Sequence, residues 1–190
     1  MIAVTGEPRS GTSLTMILCQ ALGLSLAGEQ YIGDDSSSNP DGVWEIPRIA
    51  RNGLSKDMYD GKTSLCPKIT EDCIKLMSYA LTSSAPSLFD KIIVCVRNPV
   101  EVVQSQRLCG YEPTNGELSL DYTQNMIVLL KWLGDCEKSF HVVDYNDMIK
   151  SPIWNITGLS SFLGAQSTNE ELTKIARLVK PEYYRNRGGE

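Results

Sequence analysis

Three observations predict an α/β fold for this chain, a central parallel sheet flanked by helices in three layers. Short apolar runs of strand length alternate with helical periodicities from the first residue to about residue 180. The run Ile92-Ile93-Val94-Cys95-Val96 is near-continuous, as in a strand buried on both faces of a parallel sheet. A turn rich in Gly, Pro and Ser joins the first strand directly to the first helix. No linker or compositional break divides residues 1–190, so a single domain is expected.

The elements follow in order. Met1 to Thr5 is a short apolar strand, and after the Gly6–Gly11 turn Leu14, Ile17, Leu18, Ala21 and Leu22 recur at helical spacing until Gly23 ends the helix. Ile32 to Gly42 is a loop by its Asp, Ser, Asn, Pro and Gly content. Trp44 to Met58 has a weak helical pattern, Thr63 to Cys66 suits a short strand, and Glu71 to Leu81 reads as a helix. Asp90 to Val96 is a buried strand, after which Asn98-Pro99 opens a helix, Asn as cap and Pro at the first helical position. Tyr122, Met126, Leu129, Leu130 and Leu133 make a clean stripe on a helix from Leu118 to Leu133. Phe140 to Val143 reads as another buried strand, followed by helices over Ile153–Leu163 and Asn169–Val179.

Composition narrows the function classes. With 190 residues, 42% hydrophobic and 22% charged, the chain is neither disordered, collagenous nor a coiled coil. A chain of this length buries roughly 70% of its unfolded surface, enough for a core without metal or disulfide staples. The apolar stretches Ile92–Val96 and Met126–Leu130 fall far short of the ~20 residues that span a bilayer, so no membrane span is expected. Met1 is followed at once by strand residues with no basic or cleavable leader, which places the expected location in the cytoplasm. The six cysteines are scattered singly, without zinc-type spacing, and are expected to be reduced and mostly buried. A net charge of −5 disfavours nucleic acid and anionic membranes as partners. Any anion must therefore be bound locally.

Gly6-Glu7-Pro8-Arg9-Ser10-Gly11-Thr12-Ser13 has the strand-to-helix context of a phosphate loop, so the fold is P-loop-like. Backbone amides from Ser10 to Ser13 are expected to point at one anion, aided by the helix N-terminus. Thr12 stands where an ordinary nucleotide-hydrolysing loop has its lysine, which argues against a kinase or ATPase. Arg9 is the only cation in the loop.

Pro8-Arg9-Ser10-Gly11-Thr12-Ser13 resembles the loop of the sulfotransferases, which bind 3′-phosphoadenosine 5′-phosphosulfate (PAPS) as cosubstrate and release adenosine 3′,5′-bisphosphate (PAP). Bacterial, viral and tyrosylprotein-type members are the most similar in motif. The resemblance implies that Arg9 contacts the 5′-phosphate and the bridging oxygen, where a fixed cation stabilises developing charge. It also implies a second site, an Arg closing a buried strand and a Ser eight residues on that together hold the 3′-phosphate. Here these are Arg97 and Ser105. Val142 to Met148 and Phe162-Leu163-Gly164 are similar to two further segments of the family that are structural. The tail around Arg187 is similar to a basic segment that closes over the 3′-phosphate, though it departs from the usual order.

Transfer to a hydroxyl requires a base. The one histidine, His141, lies in a strand away from the loops, so a carboxylate is expected in that role. Glu29, in a Gly-Glu segment after the first helix, resembles the base of tyrosylprotein-type members and is favoured; Glu45 is the competitor. Lys68 is a weaker candidate for a second cation. The expected activity is sulfuryl transfer from PAPS to a hydroxyl-bearing acceptor of unknown class, without a metal. The acidic balance disfavours a polyanionic glycan. Two alternatives stand beside it. One is a P-loop nucleotide kinase or NTPase with its cation displaced to Arg9 and Asp144 as the best candidate for its magnesium ligand; the other is a catalytically inactive nucleotide-binding or interaction protein. Asn155-Ile156-Thr157 is a formal glycosylation sequon and reads as chance.

Overall fold

The structure, a computed structural model, describes residues 1–28, 46, 49, 53–60, 68–110, 112 and 117–181. Strand β1 (Ile2–Gly6) leads through the Gly-rich turn into helix α1 (Thr12–Ala21). A short helix α2 (Lys56–Tyr59) precedes strand β2 (Cys73–Met77), helix α3 (Ser78–Thr82) and a 3-10 turn at Pro86–Leu88. Strand β3 (Lys91–Val96) is followed by helices α4 (Pro99–Leu108) and α5 (Leu118–Asp135), then strand β4 (Ser139–Asp144). Helices α6 (Tyr145–Lys150), α7 (Pro152–Leu163) and α8 (Asn169–Ala176) close the described chain.

All pairings in the sheet are parallel, in the order β2-β1-β3-β4. Side chains alternate across it and seed two cores. On one face Val4, Ile93 and Cys95 pack with Met16 of α1, Met148 of α6, Ile156 of α7 and Leu172 of α8. On the other, Ile74, Leu76, Ile92 and Val94 pack with Leu81 of α3 and Leu129 of α5. This is the expected three-layer arrangement, and the carboxyl ends of the parallel strands all lie at one side, where open α/β sheets bind ligands. Among the described residues, no helix is long and apolar enough to cross a membrane.

The sequence reading requires three corrections. The span Glu71–Leu81 is not one helix: Cys73–Met77 is a strand, every residue of it buried, and only Ser78–Thr82 is helical. A strand buried on both faces has no alternation to read, and Lys75 in its centre mimicked a polar helix face. Among the described residues no strand pairs beyond β4, which makes it an edge strand with Phe140 and Val142 about half exposed. The last helix stops at Ala176, short of Val179. Within Trp44–Met58 the described residues are helical at Ile49 and from Lys56, but not at Ile46 or at residues 53–55. The loop Ile32–Gly42 and the strand Thr63–Cys66 lie outside the described residues.

Helix ends follow their sequence signals. Gly23 takes a left-handed φ of 95° after α1, where its amide donates to the Gln20 carbonyl (2.9 Å) and that of Leu24 to Cys19 (3.1 Å). Gly164 does the same after α7, with φ of 78°. Cys19, Cys73 and Cys95 are buried free thiols, and burial pushes the Cys95 thiol up to about 12, so it behaves as a small hydrophobe.

Candidate functional site

The loop Gly6–Gly11 takes its shape from residues that must lack or strain a side chain. A Cβ on Gly6 would lie 2.5 Å from Ser10 Oγ and 2.6 Å from the Cys95 carbonyl, and one on Gly11 would lie 2.5 Å from the Tyr145 ring. Gly11 has φ of 100° and Arg9, between the two glycines, has φ of 75°, a left-handed conformation costly for a residue with a Cβ. The Ser10 amide donates to the Glu7 carbonyl (3.1 Å), closing a turn. That amide is therefore engaged within the loop, which corrects the expectation that it is offered outward.

Gly11 supplies no side-chain cap to α1, whose first intrahelical bond runs from the Thr15 amide to the Gly11 carbonyl (3.1 Å). The amides of Thr12, Ser13 and Leu14 consequently have no intrahelical acceptor. Ser10 is 1% exposed, and its Oγ finds no hydrogen-bond partner among the described residues. A buried hydroxyl without a partner beside an uncapped ten-residue helix fits an anion that both would hold.

The two predicted phosphate motifs converge. Arg9 Nε donates to Ser105 Oγ at 3.0 Å, a contact between residues 96 positions apart, and an Arg97 terminal nitrogen donates to the Arg9 carbonyl at 3.3 Å. Ser105 lies on α4, and Arg97 follows β3 directly. Arg97 Nε donates to Glu101 Oε2 at 3.0 Å in an ion pair whose side chains are each 8% exposed. The Arg97 guanidinium also stacks over the Tyr145 ring, 4.8 Å from its centroid. Asn146 Nδ2 donates to both Glu101 oxygens (3.2 and 3.1 Å), and the Tyr122 hydroxyl reaches the Arg97 carbonyl at 3.4 Å. Gln106 Nε2 donates to the Pro8 carbonyl at 3.1 Å and ties the loop to α4. Two guanidinium groups, two serine hydroxyls and a helix N-terminus thus share one end of the sheet. Burial raises the Tyr145 phenol, with the nearby Arg97 and Arg9 charges opposing the shift, so it remains a neutral platform.

Several contributors were not singled out in the sequence. Lys75, 4% exposed on β2, donates from Nζ to Ser13 Oγ at 3.2 Å and brings a third cation under the start of α1. Lys68, the cation the sequence suggested, is exposed. A lysine within an apolar run is the signal that would have found Lys75, since burial of the charge requires a partner. Glu7, Glu101, Tyr145 and Asn146 hold the other groups in place.

His141 is on the edge strand, stacked on Phe162 with ring centroids 5.3 Å apart, and burial lowers its pKa. Asp144 caps α6, accepting from the amides of Asn146 (2.8 Å) and Asp147 (3.1 Å). Asn155 of the sequon donates to the carbonyls of Asp147 and Ser151, both at 3.0 Å. Glu29, Glu45 and Arg187 lie outside the described residues. Among the described residues, no cluster of three or more His, Cys, Asp or Glu is placed to hold a metal ion.

No family model and no curated protein matches the chain. Solved structures do. The mouse sulfotransferase SULT7A1 complexed with PAP superposes with a TM-score of 0.59 at 17% identity, over 100% of this chain and 66% of that one. Retinol dehydratase in complex with androsterone and the inactive cofactor PAP superposes with a TM-score of 0.54 at 15% identity, over 97% and 65%. The chain therefore has the sulfotransferase fold and spans just under two thirds of the length of each of these proteins.

Proposed function

We propose that this chain, built on the sulfotransferase fold, is a PAPS-dependent sulfotransferase that moves a sulfuryl group to a hydroxyl-bearing acceptor. The observation that carries this reading is the convergence of Arg9 with Arg97 and Ser105, 88 and 96 positions away in sequence. One isolated phosphate loop would serve any nucleotide. Two anion-binding motifs packed together select a ligand with phosphates at two ends, and both superposed structures contain PAP.

In this proposal the Thr12, Ser13 and Leu14 amides with Ser10, Arg9 and Lys75 hold the 5′ side, and Arg97 with Ser105 holds the 3′-phosphate. PAPS supplies the activated sulfuryl group. Arg9 is the cation placed to stabilise charge developing on the leaving phosphate oxygen. The Arg97 guanidinium, fixed by Glu101 and the Tyr145 ring, is preorganised, so little ordering cost remains when an anion arrives. The acceptor proton passes to Glu29, with Glu45 as the competing base. Asp144 supports the kinase alternative poorly, because its carboxylate already caps α6. A cytoplasmic location belongs to the same proposal, supported by the free thiols Cys19, Cys73, Cys95, Cys109 and Cys136.

Calorimetric titration tests the reading with PAP against ATP plus Mg²⁺, in the wild type and in Arg97→Ala. Metal-independent PAP binding that weakens by roughly tenfold or more in the variant is expected, the loss of a charge-assisted phosphate contact. Preference for ATP with Mg²⁺ and indifference to the 3′-phosphate would overturn it. With transfer measured, Glu29→Gln and Glu45→Gln separate the two bases, the true one losing about 10²–10⁴-fold in kcat.

A further inference from the structure

The carboxylate of Glu7 is an unexpected group to find buried at an anion site. It lies inside the loop, two residues before Arg9, and is 3% exposed. Its side chain turns away from the start of α1. Oε1 accepts from the Ser78 hydroxyl, and Oε2 accepts from Asn125 Nδ2 at 3.1 Å. Ser78 is the first residue of α3 and fully buried, and Asn125 is in the middle of the long helix α5. Through its main chain the same residue accepts the Ser10 amide, closing the turn that carries Arg9 in its left-handed conformation.

From this geometry we infer that Glu7 is a positioning residue, the anchor that ties the phosphate loop to α3 and α5 and keeps Arg9 aimed at its ligand. The inference rests on the sulfotransferase reading for what the loop binds, but not for the anchoring itself. A direct catalytic role does not fit, since Ser78 and Glu7 are buried and hydrogen-bonded to protein groups rather than exposed to an acceptor. Anion binding does not fit either, because a carboxylate repels phosphate. A tether does fit. The loop is tied to α4 twice, by Gln106 on the Pro8 carbonyl and by Arg9 Nε on Ser105 Oγ, and Glu7 supplies two further ties, to α3 and α5. A carboxylate suits the position because both of its oxygens accept, and a buried hydrogen bond to a charged acceptor is stronger than a neutral one.

The experiment is amide hydrogen exchange on the ligand-free chain, followed by PAP titration, for the wild type, Glu7→Ala, Glu7→Gln and Ser78→Ala. Glu7→Ala is expected to speed exchange of the amides from Arg9 to Leu14 by roughly tenfold or more, with α7 and α8 unchanged. Its PAP affinity should fall in parallel. Glu7→Gln should restore both, since its carbonyl still accepts from Ser78 and its amide nitrogen can donate to Asn125 once that side chain turns its oxygen inward. Loop exchange at the wild-type rate in Glu7→Ala overturns the inference. If Glu7→Ala does not fold, Ser78→Ala decides: loop-limited acceleration supports the anchor, and wild-type exchange refutes it. A wild type that fails to bind PAP sinks the sulfotransferase reading, while the exchange rates still judge the anchor.

Discussion

Arg9 answers two conflicting demands at one backbone position. The turn closed by the Ser10 amide requires a left-handed residue there, for which glycine is the natural choice, yet the ligand chemistry requires a guanidinium. The strain is separable from the charge. Arg9→Gly is expected to be more stable than Arg9→Ala by about 0.5–1 kcal/mol in urea denaturation, the left-handed cost less the extra freedom of glycine in the unfolded chain. Both variants should lose transfer activity alike, by about 10²–10³-fold. Equal stability of the two would show that the turn does not hold residue 9 left-handed. Arg9, Arg97 and Ser105 were legible because each belongs to a short local pattern with its own chemistry. Glu7 was not, because a lone Glu in sequence reads as solvated, and Lys75 had only its place in an apolar run as a signal; the fold reveals that each is buried beside a partner.

Helix α4 shows how an element transmits position to a side chain. Asn98 caps it, its side chain accepting from the Val100 amide at 3.0 Å, while its own amide donates to Asn146 Oδ1 at 3.0 Å. The helix therefore starts at a fixed angle beside Arg97 and brings Ser105 to Arg9. Asn98→Ala should cost about 1 kcal/mol in thermal or urea unfolding and weaken PAP binding, though the variant leaves every proposed ligand contact in place. Unchanged affinity at the lowered stability would show that the cap serves the fold alone. Asn98-Pro99 was legible in the sequence because a cap and a helix-opening proline are local signals. The same logic explains the failure at β2. Cys73–Met77 has neither alternation nor flanking turn residues, and its identity as a strand is decided by pairing with β1, a contact some seventy residues away.

For the whole molecule, the parallel order β2-β1-β3-β4 gathers the carboxyl ends of four strands, and with them the Gly6–Gly11 loop, Ser78, Arg97 and Tyr145. Alternation along the chain indicated a parallel sheet, but strand order is non-local and was not readable. The gathering also buries the Glu7 carboxylate at that end of the sheet in a chain of net charge −5, which has a consequence for stability. Burial pushes Glu7 above the ordinary glutamate range, and nearby Asp121 adds to the shift, while hydrogen bonds from Ser78 and Asn125 oppose it. Tyr122 faces the same carboxylate and is itself raised, chiefly by burial. A carboxyl whose folded pKa is raised adds stability that is present below its unfolded pKa and is lost as pH rises through the folded value. Asp72 and Asp90 are lowered by their hydrogen bonds and act in the opposite sense, losing their contribution as pH falls. Glu7→Gln leaves those groups untouched, so the difference between variant and wild type isolates Glu7. Measured by urea denaturation between about pH 4 and pH 7, that difference should move steadily in favour of the glutamine variant as pH rises. A flat difference would mean that Glu7 titrates in the folded chain as it does unfolded, and a slope of the other sign would mean that its two hydrogen bonds outweigh its burial.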